Sequence, residues 1–214
     1  MAWYLLTAVV SFCSILYELI LSQTLSALLG NTVYQYSVVL GLYLFAMGVG
    51  TISLSKLDEQ ETSNKLVQTE FYLAGLGCVS VPVLFLISGS FSFYWVTYVS
   101  AYLFVVAIGF LTGREIPLIL NKINKPGLVF AASYIGAFIG TCVFALYLYR
   151  EQGVLVASVF AAVINALVGL LLLYGANKKF AYSLGLVSVI SLCALTLIYE
   201  DRVMSYLSSV YLGV

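Results

Sequence analysis

The chain has 214 residues, of which 63% are hydrophobic and 8% are charged, with nine basic and nine acidic side chains and no histidine. Soluble domains carry about a quarter charged residues, so the composition excludes a water-soluble globule and predicts an all-α protein solvated mainly by a lipid bilayer. Zero net charge argues against a nucleic-acid partner. Without imidazole there is no Ser-His or Cys-His catalysis and no histidine-ligated metal. We expect no catalytic residue, cofactor or metal site.

Seven stretches are long and apolar enough to cross a membrane, which takes about 20 residues each. Breaks at Gly30-Asn31-Thr32 and Ser88-Gly89-Ser90 divide the longer charge-poor runs. The fourth stretch can continue past Pro117. The predicted helices cover residues 3–29, 33–55, 70–88, 93–113, 127–149, 153–176 and 180–199. They form a seven-helix transmembrane domain over residues 1–199, followed by a short C-terminal tail, residues 200–214.

The basic residues predict an orientation in the membrane. Arg150 and Arg202 lie on one side. The other side carries seven: Lys56, Lys65, Arg114, Lys122, Lys125, Lys178 and Lys179. Because basic loops stay in the cytoplasm, we expect a multi-pass protein of the cell (inner) membrane with its N-terminus in the cytoplasm and its C-terminus outside.

Glu18 is the acid that the predicted boundaries place in the middle of a span. At 100° per residue, several small polar residues share its face of helix 1: Thr7, Ser11, Ser14, Ser22 and Ser26. An ionisable group at that depth is a functional candidate, which would bind a cation or carry a proton in a hydrated cavity. It is equally consistent with a buried glutamate that fixes helix packing through a hydrogen bond.

Further polar and small residues extend the candidate set. Tyr34 and Gln35, near the first turn, could enlarge the polar surface, although turn residues need no special role. Asn165 is the lone polar side chain midway along helix 6, where an amide more often joins helices than binds a ligand. Small residues that favour close helix packing over ligand contact are Gly41, Gly48, Gly136 and Gly140.

Arg114 and Glu115 form an adjacent charged pair near the cytoplasmic end of helix 4. Two neighbours on a helix point about 100° apart, so each can seek another partner. Asp58 or Glu61 would suit Arg114 and complete a charge network. The alternative is an interfacial pair whose long side chains reach the membrane surface.

Several segments, taken in order, resemble the N-terminal membrane domain of multi-pass polyamine aminopropyltransferases, the spermidine synthase-like proteins. The matching segments are Tyr17-Glu18-Leu19, residues 28–37, residues 41–50, the Gly-x-Glu-Ile-Pro-Leu motif at 113–118 and the Tyr-x-Gly-Ala motif at 134–137. Two positions depart from the family pattern. Ser133 replaces the usual aspartate, and Arg114 replaces an apolar residue.

The resemblance implies a membrane part without its enzyme. In the family a soluble domain with a glycine-rich loop follows the last helix, and no such fingerprint occurs here. We therefore expect no aminopropyl transfer by this chain. The membrane part of the family is itself similar to half of a major facilitator transporter, whose cavity lies between two repeats, so a homodimer would be one way to complete it.

Two functions follow. The first is a membrane transport or binding module for a small cationic, polyamine-like solute, with Glu18 as its charge partner. The second is a non-catalytic anchor or assembly subunit for a separate, soluble aminopropyltransferase or another partner.

Overall fold

The computed structural model describes residues 2–54, 58–90, 94–123, 125–173 and 205. These ranges are helical and contain no strand. The elements are α1 (Ala2–Leu29), α2 (Thr32–Ile52), α3 (Glu59–Ser90), α4 (Tyr94–Lys122), α5 (Pro126–Val143), a π-helical continuation (Phe144–Gln152) and α6 (Gly153–Leu172). The predicted seventh helix, residues 180–199, and the tail lie outside the described residues.

Five continuous helical runs are long and apolar enough to be candidate membrane spans. The fifth, Pro126–Leu172, has 47 residues, about 70 Å if it were straight at 1.5 Å per residue. Such a length is about twice the hydrocarbon thickness. Contacts with α1 show that the run is folded back on itself.

The first half of this run lies parallel to α1. Gly136 faces the backbone of Ala8. Further along both helices, the Gln23 amide donates a hydrogen bond to the Tyr149 hydroxyl at 2.6 Å. Residue numbers therefore rise together on α1 and on the α5–π segment.

The second half runs the opposite way. The ring of Phe160 lies 6.4 Å from that of Phe12, and Ile164, later in α6, shares a cavity with Leu5, earlier in α1. The chain reverses at Gly153, whose φ of 77° lies in a region that glycine enters without steric cost. The predicted division between residues 149 and 153 is thus confirmed.

Helix α3 begins eleven residues before its predicted start, at Glu59 instead of residue 70. The prediction was wrong because it equated charged residues with a loop. Residues before position 70 are amphipathic, and Leu66 and Val67 are fully buried. Helix α4 likewise continues through Pro117 to Lys122.

The α1–α2 turn is where the sequence placed it. Asn31 has a φ of 49° and caps α2, accepting a hydrogen bond on its side-chain oxygen from the Tyr34 amide at 3.3 Å. Asparagine tolerates this left-handed conformation better than most residues. The two helices consequently form an antiparallel hairpin.

Helix α1 is the centre of the described bundle and contacts each of α2 to α6. The side chains of Leu16, Tyr17, Ile20 and Leu25 on this helix are at most 1% exposed. A helix that is apolar nearly all round and buried among others is typical of a bundle core. The polar residues of α1 therefore face other helices.

Glycines set the closest helix contacts, but only some of the predicted ones do so. A Cβ on Gly136 would overlap the Ala8 backbone, and one on Gly140 would overlap the Ile15 side chain. Gly41 and Gly48, in contrast, have no contact from another helix within the described ranges, so their packing role stays a prediction.

The close approach of α2 to α4 depends on other glycines. A Cβ on Gly50 would collide with the carbonyl oxygen of Phe110, and one on Gly113 with that of Met47. The backbones of these two helices thus touch directly.

Candidate functional site

A cavity of about 240 Å³ lies between α1, α2, α4 and α5. Its polar lining comes from three helices and includes two carboxyl groups. The lining residues are Ser11, Ser14, Ile15, Glu18, Leu44, Met47, Thr112, Glu115, Ile116, Ser133, Tyr134 and Ala137. A mainly apolar pocket with a few convergent polar groups is the usual form of a ligand site.

Three members of the predicted α1 stripe line this cavity: Ser11, Ser14 and Glu18. The Ser11 hydroxyl donates a hydrogen bond to the Ser133 hydroxyl at 2.7 Å. Ser133, where the family pattern has aspartate, is therefore joined to α1 by a neutral bond. The two carboxyl groups of the cavity come from different helices, Glu18 from α1 and Glu115 from α4.

The other hydroxyl side chains of this stripe form hydrogen bonds to residues close by in the sequence. Ser22 donates to the Glu18 carbonyl oxygen at 2.8 Å, and Thr7 donates to the Trp3 carbonyl oxygen at 2.9 Å. Such bonds to the preceding helical turn satisfy a hydroxyl without any partner helix. Ser26 bonds to Thr32 across the α1–α2 turn at 2.8 Å.

The remaining predicted site residues lie away from the cavity. Tyr34 is 51% exposed, and the neighbouring Gln35 is buried, accepting a hydrogen bond on Oε1 from Tyr102 at 3.3 Å. Gln35 precedes Leu44, a lining residue on the same helix, by nine residues, or about 14 Å. Asn165 is fully buried on α6, and neither its side-chain oxygen nor its nitrogen has a hydrogen-bond partner among the described residues.

The structure brings together a carboxyl pair that the sequence analysis missed. Glu70 of α3 is 0% exposed and Glu115 of α4 is 2% exposed, and their carboxyl groups lie close enough to interact directly. Glu18 is only partly buried. The deepest acids of the described bundle are therefore Glu70 and Glu115, and Glu18 is not the single acid at depth.

Two residues of α1 face the carboxyl pair. The Cys13 thiol and the Tyr17 hydroxyl both lie within electrostatic range of Glu70 and Glu115. The Tyr17 hydroxyl is buried and has no hydrogen-bond partner within the described ranges. Its ring packs against Gly77 of α3, where a larger residue would not fit.

Arg114 and Glu115 do not form the predicted network with Asp58. The guanidinium carbon of Arg114 lies 5.8 Å from the centre of the Phe110 ring, and over the described ranges no ion pair joins Arg114 to Asp58. Asp58 instead accepts from Thr62 on its backbone carbonyl at 2.8 Å. The adjacent side chains diverge, as 100° spacing requires, and Glu115 points inward.

We expect the two buried tyrosines, Tyr17 and Tyr43, to respond differently to replacement by phenylalanine. The Tyr43 hydroxyl donates to the Ser14 carbonyl oxygen at 2.9 Å, whereas the Tyr17 hydroxyl has no such partner in the described part of the chain. We expect Tyr43→Phe to lower the free energy of unfolding by about 1 kcal/mol and Tyr17→Phe to leave it unchanged or raise it, because an unpartnered buried hydroxyl is removed. Unfolding by denaturing detergent measures both, and equal losses would contradict the assignment.

Comparison with known proteins connects the chain to polyamine aminopropyltransferases. It is 31% identical to one from Leptospira interrogans over 176 residues, which is 79% of this chain and 34% of that protein. It is 33% identical to polyamine aminopropyltransferase 1 of Streptomyces coelicolor over 170 residues, 74% of this chain and 31% of that protein. With the enzyme of Oceanobacillus iheyensis the identity is 31% over 190 residues, 82% and 36% of the two chains.

The chain thus spans about a third of the length of the curated relatives it matches. No family model matches the sequence, and no solved structure does. The predicted resemblance to aminopropyltransferases is confirmed for a partial region of those proteins, and the similarity to half of a major facilitator transporter stays a prediction.

Proposed function

We propose that this chain is a membrane-spanning module that binds a small organic cation of the polyamine class between α1, α2, α4 and α5. The observation that carries the proposal is that Glu18 and Glu115, from different helices, line one cavity. Carboxylates in a mainly apolar pocket attract a cation more strongly than they would in water. The hydroxyls of Ser14 and Thr112 on the same walls can accept hydrogen bonds from ammonium groups.

The outer surface supports membrane insertion. Large apolar side chains on α2, α4, α5 and the π-helical segment point away from the described bundle, among them Phe45, Leu103, Phe138 and Leu146, which are 64–74% exposed. Apolar exposure on this scale is unusual for a soluble monomer. It suits a helix bundle whose surroundings are hydrocarbon.

The two ends of the bundle differ in a way that supports the proposed orientation. Aromatic residues that suit a membrane interface lie at both ends: Tyr34, Trp95, Tyr147 and Tyr149 where α2 and α4 begin, and Trp3 and Tyr4 at the opposite end. The basic residues distinguish the two ends. Among the described basic residues, Arg150 is at the end where α2 and α4 begin, and the opposite end carries Lys65, Arg114, Lys122 and Lys125. By the positive-inside rule, the second end is cytoplasmic.

Cysteine labelling in intact cells tests the orientation. In a background without native cysteines, we expect Glu151→Cys to react with a membrane-impermeant maleimide added outside, because Glu151 lies at the end with few basic residues. Lys125→Cys should react only after permeabilisation. The reverse pattern would overturn the orientation, and reaction of both from outside would contradict insertion.

Equilibrium binding of spermidine to the purified protein in lipid nanodiscs tests the proposed ligand class. We expect saturable binding that Glu18→Gln weakens by about tenfold, which corresponds to about 1.4 kcal/mol, because glutamine keeps the shape and removes the charge. The proposal would be contradicted if spermidine did not bind, or if it bound the wild type and Glu18→Gln with equal affinity.

A specific observation also favours the anchor function. The similar proteins are named as aminopropyltransferases and are about three times longer than the matched region, so a soluble aminopropyltransferase acting beside this module is a reasonable partner. Copurification from gently solubilised native membranes would show it. Isolation of the chain free of such an enzyme under those conditions would oppose the anchor function and leave the cation proposal intact.

A further inference from the structure

The Glu70–Glu115 pair lacks the charge balance that a buried acid pair needs. Both oxygens of Glu70 and Oε1 of Glu115 are buried without a hydrogen-bond partner in the described structure. Within the same ranges, no lysine or arginine forms an ion pair with either residue. Two carboxylates this close cannot both remain ionised in a low-dielectric interior, because the repulsion and the lost hydration are not offset.

The groups that face the pair from α1 and α2 carry no positive charge. The neighbouring Arg114 of α4 forms no ion pair within the described ranges, and its guanidinium lies over the Phe110 ring. From α1 the facing titratable groups are Cys13 and Tyr17, and from α2 the group is Tyr43. From α5, Tyr134 reaches the adjoining cavity. Helix α6 contains no titratable side chain.

The unpartnered Tyr17 hydroxyl is a second observation at the same place. Tyr17 is 1% exposed, and its hydroxyl lies within electrostatic range of both acids. A buried hydroxyl without a partner costs free energy, and a carboxyl group that gains or loses a proton beside it can alternately accept from it or donate to it. The cluster therefore combines several carboxyl acceptors with one hydroxyl donor in a buried environment.

We infer that Glu70 and Glu115 share one proton inside the bundle and that Glu115, which also lines the Glu18 cavity, transmits the presence of a cation there to this proton. The proton is held on a carboxyl oxygen and leaves to water as the ammonium group of the solute pairs with Glu115. The first half of this inference stands on the acid pair alone. The second half rests on the proposed cation binding.

Infrared spectroscopy of the protein in lipid nanodiscs tests the shared proton. The wild type should show a carboxylic-acid C=O band at neutral pH that moves in Glu70→Gln and in Glu115→Gln and disappears in the double variant. Glu18→Gln is the matched control and should leave this band in place. Three results would contradict the shared proton. The wild type could lack the band, the band could remain in the double variant, or it could stay at the same position in either single variant.

Proton release measured with a pH indicator in weak buffer tests the coupling. Addition of spermidine should release protons from the wild type and none from the double Glu70→Gln/Glu115→Gln variant. Spermidine that binds without proton release overturns the coupling while the proposed function stands. If spermidine does not bind at all, the proposed function and the coupling fail together, and the infrared band still decides the proton site.

Discussion

Adding a single methyl group to Gly50 or Gly113 is expected to destabilise the bundle strongly. The new Cβ would overlap a backbone carbonyl oxygen of the facing helix in each case, and backbone cannot rotate away as a side chain can. Overpacking costs about 1–3 kcal/mol where side chains can adjust. We expect Gly50→Ala and Gly113→Ala each to lower the free energy of unfolding by about 3 kcal/mol or more. Unfolding by denaturing detergent measures this loss.

The matched control is the same substitution at Gly41 and Gly48, which lie on α2 as Gly50 does. Nothing in the described structure lies within 4 Å of a Cβ built at either position. Alanine is favoured over glycine in a helix interior by up to about 1 kcal/mol, so these variants should be neutral or slightly more stable. Destabilisation of Gly48→Ala as large as that of Gly50→Ala would show that another helix covers this face.

Glu115→Gln is expected to have the largest effect on cation binding. Glu115 contributes to both the cavity and the acid pair, and we expect its loss to weaken spermidine binding by more than the tenfold expected for Glu18→Gln. Both acids act on one solute. The double variant Glu18→Gln/Glu115→Gln should therefore weaken spermidine binding by a smaller factor than the product of the factors for the two single variants. A coupling energy of at least about 0.5 kcal/mol in the double-mutant cycle is the expected size.

Glu151→Gln is the control for a general effect of charge. Glu151 is an exposed residue whose carboxyl lies 3.2 Å from Arg150 at the far end of the bundle. The Glu151→Gln variant should bind spermidine as tightly as the wild type does. Weaker binding by this variant, or strict additivity of Glu18→Gln and Glu115→Gln, would contradict a single cavity containing both acids.

The sequence predicts the helices well where chain breaks have a local chemical cause. Gly30-Asn31 and Gly153 adopt left-handed φ values, and these residue types mark such positions in advance. The predicted face of α1 also contains the cavity residues Ser11, Ser14 and Glu18. Helical periodicity within one element is therefore enough to find one wall of the site.

The opposite wall depends on how different helices meet, which periodicity alone does not specify. Glu70, which lies beside the wall residue Glu115 but outside the cavity lining, falls at a predicted loop boundary because runs without charge define the predicted spans. A signal for it did exist. Thr62, Leu66, Thr69 and Leu73 are buried on the same face of α3, and the spacing of three to four residues places Glu70 among them.

The glycine spacing identifies some close contacts and misses others for a related reason. Small residues at regular spacing show that a close approach is sterically permitted, but they do not identify a partner. On α2 the regular pair, Gly41 and Gly48, faces outward, and the adjacent Gly50 meets α4. Only the tertiary arrangement distinguishes them.

The central position of α1 also bears on how the chain is made. This helix leaves the ribosome before the other described helices, yet the residues it pairs with arrive much later: Ser11 bonds to a serine 122 positions downstream, and Gln23 to a tyrosine 126 positions downstream. If the chain spans a membrane as proposed, the polar side of α1 has to be accommodated by lipid, water or the insertion machinery until α5 and α6 are in place. Closure of the site is thus a late event in biosynthesis, and nascent chains that stop before Ala137 lack part of its lining.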